Sequence, residues 1–258
     1  MRGFLVSLTV ALGLSGAPGF AQEPPGKAEI LRILGEIATL PEMRASVVQN
    51  GYEGENLALA LAQMARMLGD EAIAGHIAER ILAAERGDWA TAQAAQGLIQ
   101  PLLARGVGHL APDELAYFFE VERVVVGAVS RRSCGLMFQN RLGAEAIGRH
   151  TAEAVARLNT PALKEYYRLQ YKAARLGATR PTPRLAPEAR ERATAQMAAA
   201  LGAAARTASA QAALADFERL EQVSARRACL AGRFFLDVVM EMEPRARHQA
   251  LLVLSGRE

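Results

Sequence analysis

Only two cysteines occur in the 258 residues of this chain, and each closely follows a pair of arginines: Arg131-Arg132-Ser133-Cys134 and Arg226-Arg227-Ala228-Cys229. Two cysteines in an exported chain predict one intramolecular bridge. A single bridge between two distant segments restricts the fold more than any other feature here. The sequence places Cys134 at the end of a helix that begins at Pro112, and Cys229 within a helix near Glu221–Met242. Gly127, Ser130 and Cys134 share one expected helix face; Ala225, Cys229 and Gly232 share another. Small faces let two backbones come close enough for disulfide geometry. Closing so long a loop is worth about 4–5 kcal/mol in the chain-entropy model, less any native strain. No Cys-x-x-Cys motif is present, so a structural bridge is preferred over a redox pair.

Export is read from the first residues. Arg2 precedes an apolar run, Phe4 to Leu14, and Gly19-Phe20-Ala21 supplies small residues at −3 and −1 of a cleavage site. The expectation is a signal peptide over residues 1–21, cleaved between Ala21 and Gln22, and a periplasmic product. The run is too short to span a bilayer, and no transmembrane segment is expected in the mature chain. The net charge is +3, and cleavage would remove one positive charge with Arg2. That balance is too small to argue for nucleic acid. Trp89 is the only tryptophan, which argues mildly against a sugar-stacking cleft.

The rest of the chain reads as helix. Ala, Leu, Arg, Glu and Gln dominate, and period-2 alternation between turn residues is absent. Helices are expected from Pro24-Pro25 to about Leu40, from Pro41 to about Asn50, from Glu55 to Leu68, and from an Asp70 cap to Arg86. Asp88 is expected to cap a further helix to Ala104. After the Pro112 helix, Gly135 and Gly143 are read as breaks. Helices then follow over Ala144–Leu158, Pro161 to about Leu176, Glu188 to about Arg206, Ser209–Leu220 and Glu221–Met242, the last two either separate or continuous. Pro244 starts the final helix. The fold class is therefore all-α: a multi-helix array or bundle of about ten helices, stapled by one disulfide. The prolines at 181, 183 and 187 mark a linker, residues 179–187. It divides a helical block, 22–178, from a C-terminal block, 188–258, expected to pack on the first.

The segment Leu68–Glu79 echoes Leu142–Glu153 at an offset of 74, with eight of twelve positions identical. A duplicated helical hairpin would produce such an echo. Gly87-Asp88-Trp89-Ala90-Thr91-Ala92 resembles the turn between the two helices of a tetratricopeptide repeat. The repeat's other consensus positions hold His76, Glu79, Arg80 and Ala83, which do not fit it.

Three constellations could carry chemistry. The first is the cysteine pair. The second is His76 with Glu79 and His150 with Glu153, each a His-x-x-Glu on the echoed helix. If those helices faced one another, the four side chains could hold a divalent transition metal; the competing reading is two exposed neighbour pairs, and no cofactor is expected. The third is a helix surface carrying Lys164, Tyr167, Arg168, Tyr171 and Arg175. It could take an anionic or glycan partner through cationic and aromatic contacts, or be a half-buried face whose basic groups snorkel. Gly-x-Ser-x-Gly, His-Glu-x-x-His, Gly-x-x-x-x-Gly-Lys and Gly-x-Gly-x-x-Gly are all absent. The leading reading is a periplasmic binding or interaction protein with a protein or cell-envelope partner. The alternatives are a metal-binding protein or metal-dependent enzyme at His76/His150, and a chaperone-like factor with Ala- and Met-rich helices.

Overall fold

Helix formers in apolar stripes of period 3.6 leave the chain little alternative to packed helices. The structure, a computed structural model, describes residues 26–37, 39–83 and 92–255. These hold thirteen α-helices and no strand. They are α1 (Lys27–Ile37), α2 (Pro41–Gln49), α3 (Gly54–Gly69), α4 (Glu71–Ala83) and α5 (Ala92–Gly106). A 3-10 turn, Val107–His109, leads to α6 (Pro112–Ala128), α7 (Arg131–Phe138), α8 (Ala144–Val155) and α9 (Thr160–Thr179). The chain closes with α10 (Pro187–Ala204), α11 (Ala208–Phe217), α12 (Ala225–Glu241) and α13 (Pro244–Leu254). No described helix is long and apolar enough to cross a membrane. The expected turn at Gly87–Thr91 and the Asp88 cap lie outside the described residues.

Two helices act as hubs. α9 buries Leu163, Tyr166, Tyr167, Leu169, Gln170, Ala173, Ala174 and Gly177, and it packs against α3, α4, α5 and α6. α12 packs against α6, α7, α10, α11 and α13. Because α6 touches both hubs, the buried side chains form one continuous core. Burying phenols in that core requires partners for them. Tyr166 donates to Glu122 Oε1 at 2.5 Å, and Tyr167 donates to the Tyr52 hydroxyl at 3.0 Å.

Cys134 and Cys229 are bonded, their Cα atoms 5.2 Å apart and both residues fully buried. The bridge ties α7 to α12. The geometry around it differs from the expected one. The helix from Pro112 ends at Ala128, Val129 is extended, and Ser130 caps a new helix by accepting the Ser133 N–H at 3.1 Å. Gly127 and Ser130 therefore do not share a face with Cys134. Gly135, expected to break the helix, lies inside α7. A methyl group there would sit 1.6 Å from the Ala225 carbonyl oxygen, so glycine is what lets α7 touch the first turn of α12. Arg233 of α12 closes the interrupted end of α6, donating to the carbonyls of Val126, Gly127 and Val129 at 2.9–3.1 Å.

The helix expected to end near Leu176 runs on to Thr179. Gly177 is buried within α9, where a Cβ would meet the Leu102 carbonyl oxygen at 1.9 Å. It is matched across the interface by Gly106, whose Cβ would lie 1.6 Å from the Ala173 oxygen. Pro181 accepts a hydrogen bond from His109 Nε2 at 3.0 Å. α11 and α12 are separate helices, interrupted by the 3-10 turn Leu220–Gln222.

Candidate functional site

The α9 face is built from positions left over by its buried stripe. That stripe runs through 163, 166, 167, 170, 173, 174 and 177. Its outward complement is Lys164, Arg168 and Arg175, all exposed, with Tyr171 and Lys172 half-buried at the edge. Tyr167 lies on the inward side, only 3% exposed, so its ring is not available to a surface ligand. Tyr171 is at the margin. Its hydroxyl donates to Asp70 Oδ2 at 2.6 Å, and the Arg66 guanidinium lies 3.7 Å above its ring.

The cations of this face are held in place by carboxylates. Glu114 reaches back to the Ala111 N–H at 3.1 Å, satisfying an orphan donor at the start of α6. The same carboxylate accepts from Lys172 at 2.6 Å and from Arg168 at 3.0 Å. Burial pushes the Glu114 carboxyl up, but Lys172, the Ala111 N–H and Arg168 together outweigh it and bring it down to about 2. Arg168 also binds Glu165 at 2.8 Å. Asp70 caps α4 through the N–H groups of Ala72 and Ile73 and lies 3.7 Å from Arg175 Nε. With Arg66 and Lys164 added, cations outnumber carboxylates on this face.

The two His-x-x-Glu pairs have different surroundings. His76 Nε2 accepts from Arg105 Nη2 at 2.9 Å, since guanidinium only donates. Burial, then the Arg105 charge, holds the His76 imidazole below its ordinary pKa. Glu79 pairs instead with Lys27 at 2.8 Å. A metal at His76 Nε2 would have to displace a cation.

His150 lies among acceptors and hydroxyls. Its Nδ1 is 3.4 Å from Glu153 Oε2 and its Nε2 is 3.2 Å from Ser133 Oγ. A carboxylate only accepts, so Nδ1 carries the proton, and in the neutral imidazole Nε2 then accepts from the serine. Ser130 in turn donates to Ser133 Oγ at 3.0 Å. Ser133 and His150 are half-buried. Among the described residues, no group of three His, Cys, Asp or Glu side chains could hold a metal ion, so His76, Glu79, His150 and Glu153 do not meet as one site. In the sequence Ser133 stands out only as the neighbour of Cys134. The available signal was the cap: a serine at 130, followed by a helical run, starts a helix and turns Ser133 toward α8.

A scan of protein-family models, a search of curated proteins and a search of solved structures each found no match to this chain.

Proposed function

We propose that this is an exported, periplasmic interaction protein that docks an anionic protein or cell-envelope partner on the α9 face. The observation that carries the reading is the cationic ridge of Lys164, Arg168, Lys172 and Arg175, two of whose members are anchored on Glu114. Anchored cations lose less side-chain entropy on binding than free ones, which is how a docking face gains specificity. The buried disulfide supports export, because such bonds persist in oxidising compartments. The methionines described are all buried or half-buried, so a Met-lined client surface has no support.

The test is capture from the periplasmic extract of the source cells by the tagged mature protein. The triple variant K164E/R168E/R175E serves as control. The expected result is a discrete partner, retained at low salt, released as ionic strength rises, and lost in the triple variant. Equal capture by both proteins would contradict the reading.

A further inference from the structure

We infer that Ser133, His150 and Glu153 form a hydrolytic triad, with Ser133 as nucleophile toward carboxylic esters. The geometry points to it independently of the α9 face. Each member sits where its role requires. The Glu153 carboxylate fixes the imidazole with Nδ1 protonated, which leaves the Nε2 lone pair facing Ser133 Oγ. This is the order of contacts that a serine hydrolase uses, carboxylate to imidazole to hydroxyl, and it arises on unrelated folds because geometry alone defines it. A nucleophile elbow motif is not needed for it.

The nucleophile is also held firmly. Ser133 occupies the first turn of α7, its N–H bonded to Ser130 Oγ at 3.1 Å. The next residue is bonded covalently to α12, and the one after lies against the Ala225 backbone. A catalytic serine on a pinned element is preorganised in a way that a loop serine is not. The hydroxyl of Ser130, 3.0 Å from Ser133 Oγ, is a positioning group. The N-terminal end of α7 favours the negative charge that develops during attack.

The step balances without a cofactor. Ser133 Oγ bonds to the ester carbonyl carbon while its proton passes to His150 Nε2. Collapse of the tetrahedral intermediate breaks the carbon–alkoxy bond, and the leaving alcohol takes that proton. Water then attacks the acyl-serine, giving its proton to Nε2; the acyl–Oγ bond breaks, and Ser133 recovers the proton. The net change is ester plus water to acid plus alcohol. Glu153 stabilises the imidazolium and takes no part in the proton transfers. Because the site lies at the surface, with the Glu153 side chain 44% exposed, it suits an ester presented from solvent or on a macromolecule rather than a deeply enclosed small molecule.

The test uses the purified protein with its disulfide formed, a fluorophosphonate probe and p-nitrophenyl acetate. One phosphonyl group per chain is expected, mapped by peptide mass spectrometry to Ser133. Labelling and ester hydrolysis should fall at least about 100-fold in Ser133→Ala and His150→Ala, and about tenfold or more in Glu153→Gln. His76→Ala should match the parent. Circular dichroism and thiol titration establish that each variant keeps its helices and its bridge. Absence of labelling, labelling elsewhere, or equal rates in folded Ser133→Ala would overturn the inference. None of these results depends on capture through α9.

Discussion

α4 and α8 share six of nine residues over Glu71–Glu79 and Glu145–Glu153 and end up in different chemistry. Both present His at the same register and Glu one turn later. Around α4 the neighbours are cations: Arg105 from α5 meets the imidazole and Lys27 from α1 takes the carboxylate. Around α8 a hydroxyl meets the imidazole, and the helix's own Glu153 completes the pair. The inward positions differ as well, Ile77 against Thr151, both fully buried, the latter donating to the Ile147 carbonyl at 2.7 Å. A short motif thus fixes which groups a helix offers. The helix packed beside it decides what those groups become.

The comparison can be broken from either side. The largest effect is expected at the disulfide. Cys134→Ser should cost about 3–4 kcal/mol in denaturant unfolding, somewhat below the chain-entropy figure for so long a loop. It should also raise hydrogen exchange in α7 while leaving α4 protected. Exchange that rises equally in both helices would show that the bridge does not act locally on the Ser133 side.

Next comes the α5–α9 contact, which sets Arg105 beside His76. Gly106→Ala forces a methyl into the Ala173 carbonyl, and such overpacking should cost about 1–3 kcal/mol. As α5 shifts, the His76 pKa should rise, because Arg105 helps to hold it down. An unchanged melting temperature would mean that the two helices have room to separate.

A smaller effect follows from proton linkage. The folded pKa of His76 lies below its unfolded value, so the folded state resists protonation. Stability attributable to His76 is therefore full above the unfolded pKa, near 6.5, and falls as pH drops toward the folded value. Arg105→Gln should flatten that slope. Glu114 gives a separate acid window: its folded pKa is about 2, so its contribution is full above the ordinary glutamate range and lost as pH falls toward 2. Glu114→Gln should reduce that lower slope, leaving the share of Asp70, Glu120 and Glu165, which are also held below the usual carboxylate range, and leave the upper one. The smallest effect is expected at Lys27→Ala, which breaks an exposed pair and should leave the melting temperature unchanged within error.

Much of this arrangement was legible from residues alone. The all-helical class follows from periodicity and propensity, and the bridge from cysteine count. The Asp70 cap is as the sequence suggests, with two N–H groups bound to one carboxylate oxygen. The two glycine differences share a cause. Gly135 reads as a break, and the helix before Gly177 as ending near Leu176, yet both glycines stand inside helices, at points where another backbone passes within van der Waals reach. Glycine's signature is the same for a turn and for a close crossing, and only the partner helix distinguishes them. For Tyr167 the sequence leaves two readings, a partner surface or a half-buried face whose basic groups snorkel, and burial at 3% exposure fits the second. The buried stripe through Leu163, Tyr166 and Gln170 places it inside. Ser133 could not be paired with His150 from sequence, because that contact depends on the break at Val129–Ser130.

The most direct test of the difference between the two helices is the imidazole 15N spectrum of the protein above the histidine titration range. The account predicts that Ser133→Ala shifts the His150 Nε2 resonance and leaves His76 in place, whereas Arg105→Gln does the reverse. If neither ring responds to its own neighbour's loss, or if both respond to either substitution, the two motifs are not set apart by their surroundings and the account is wrong.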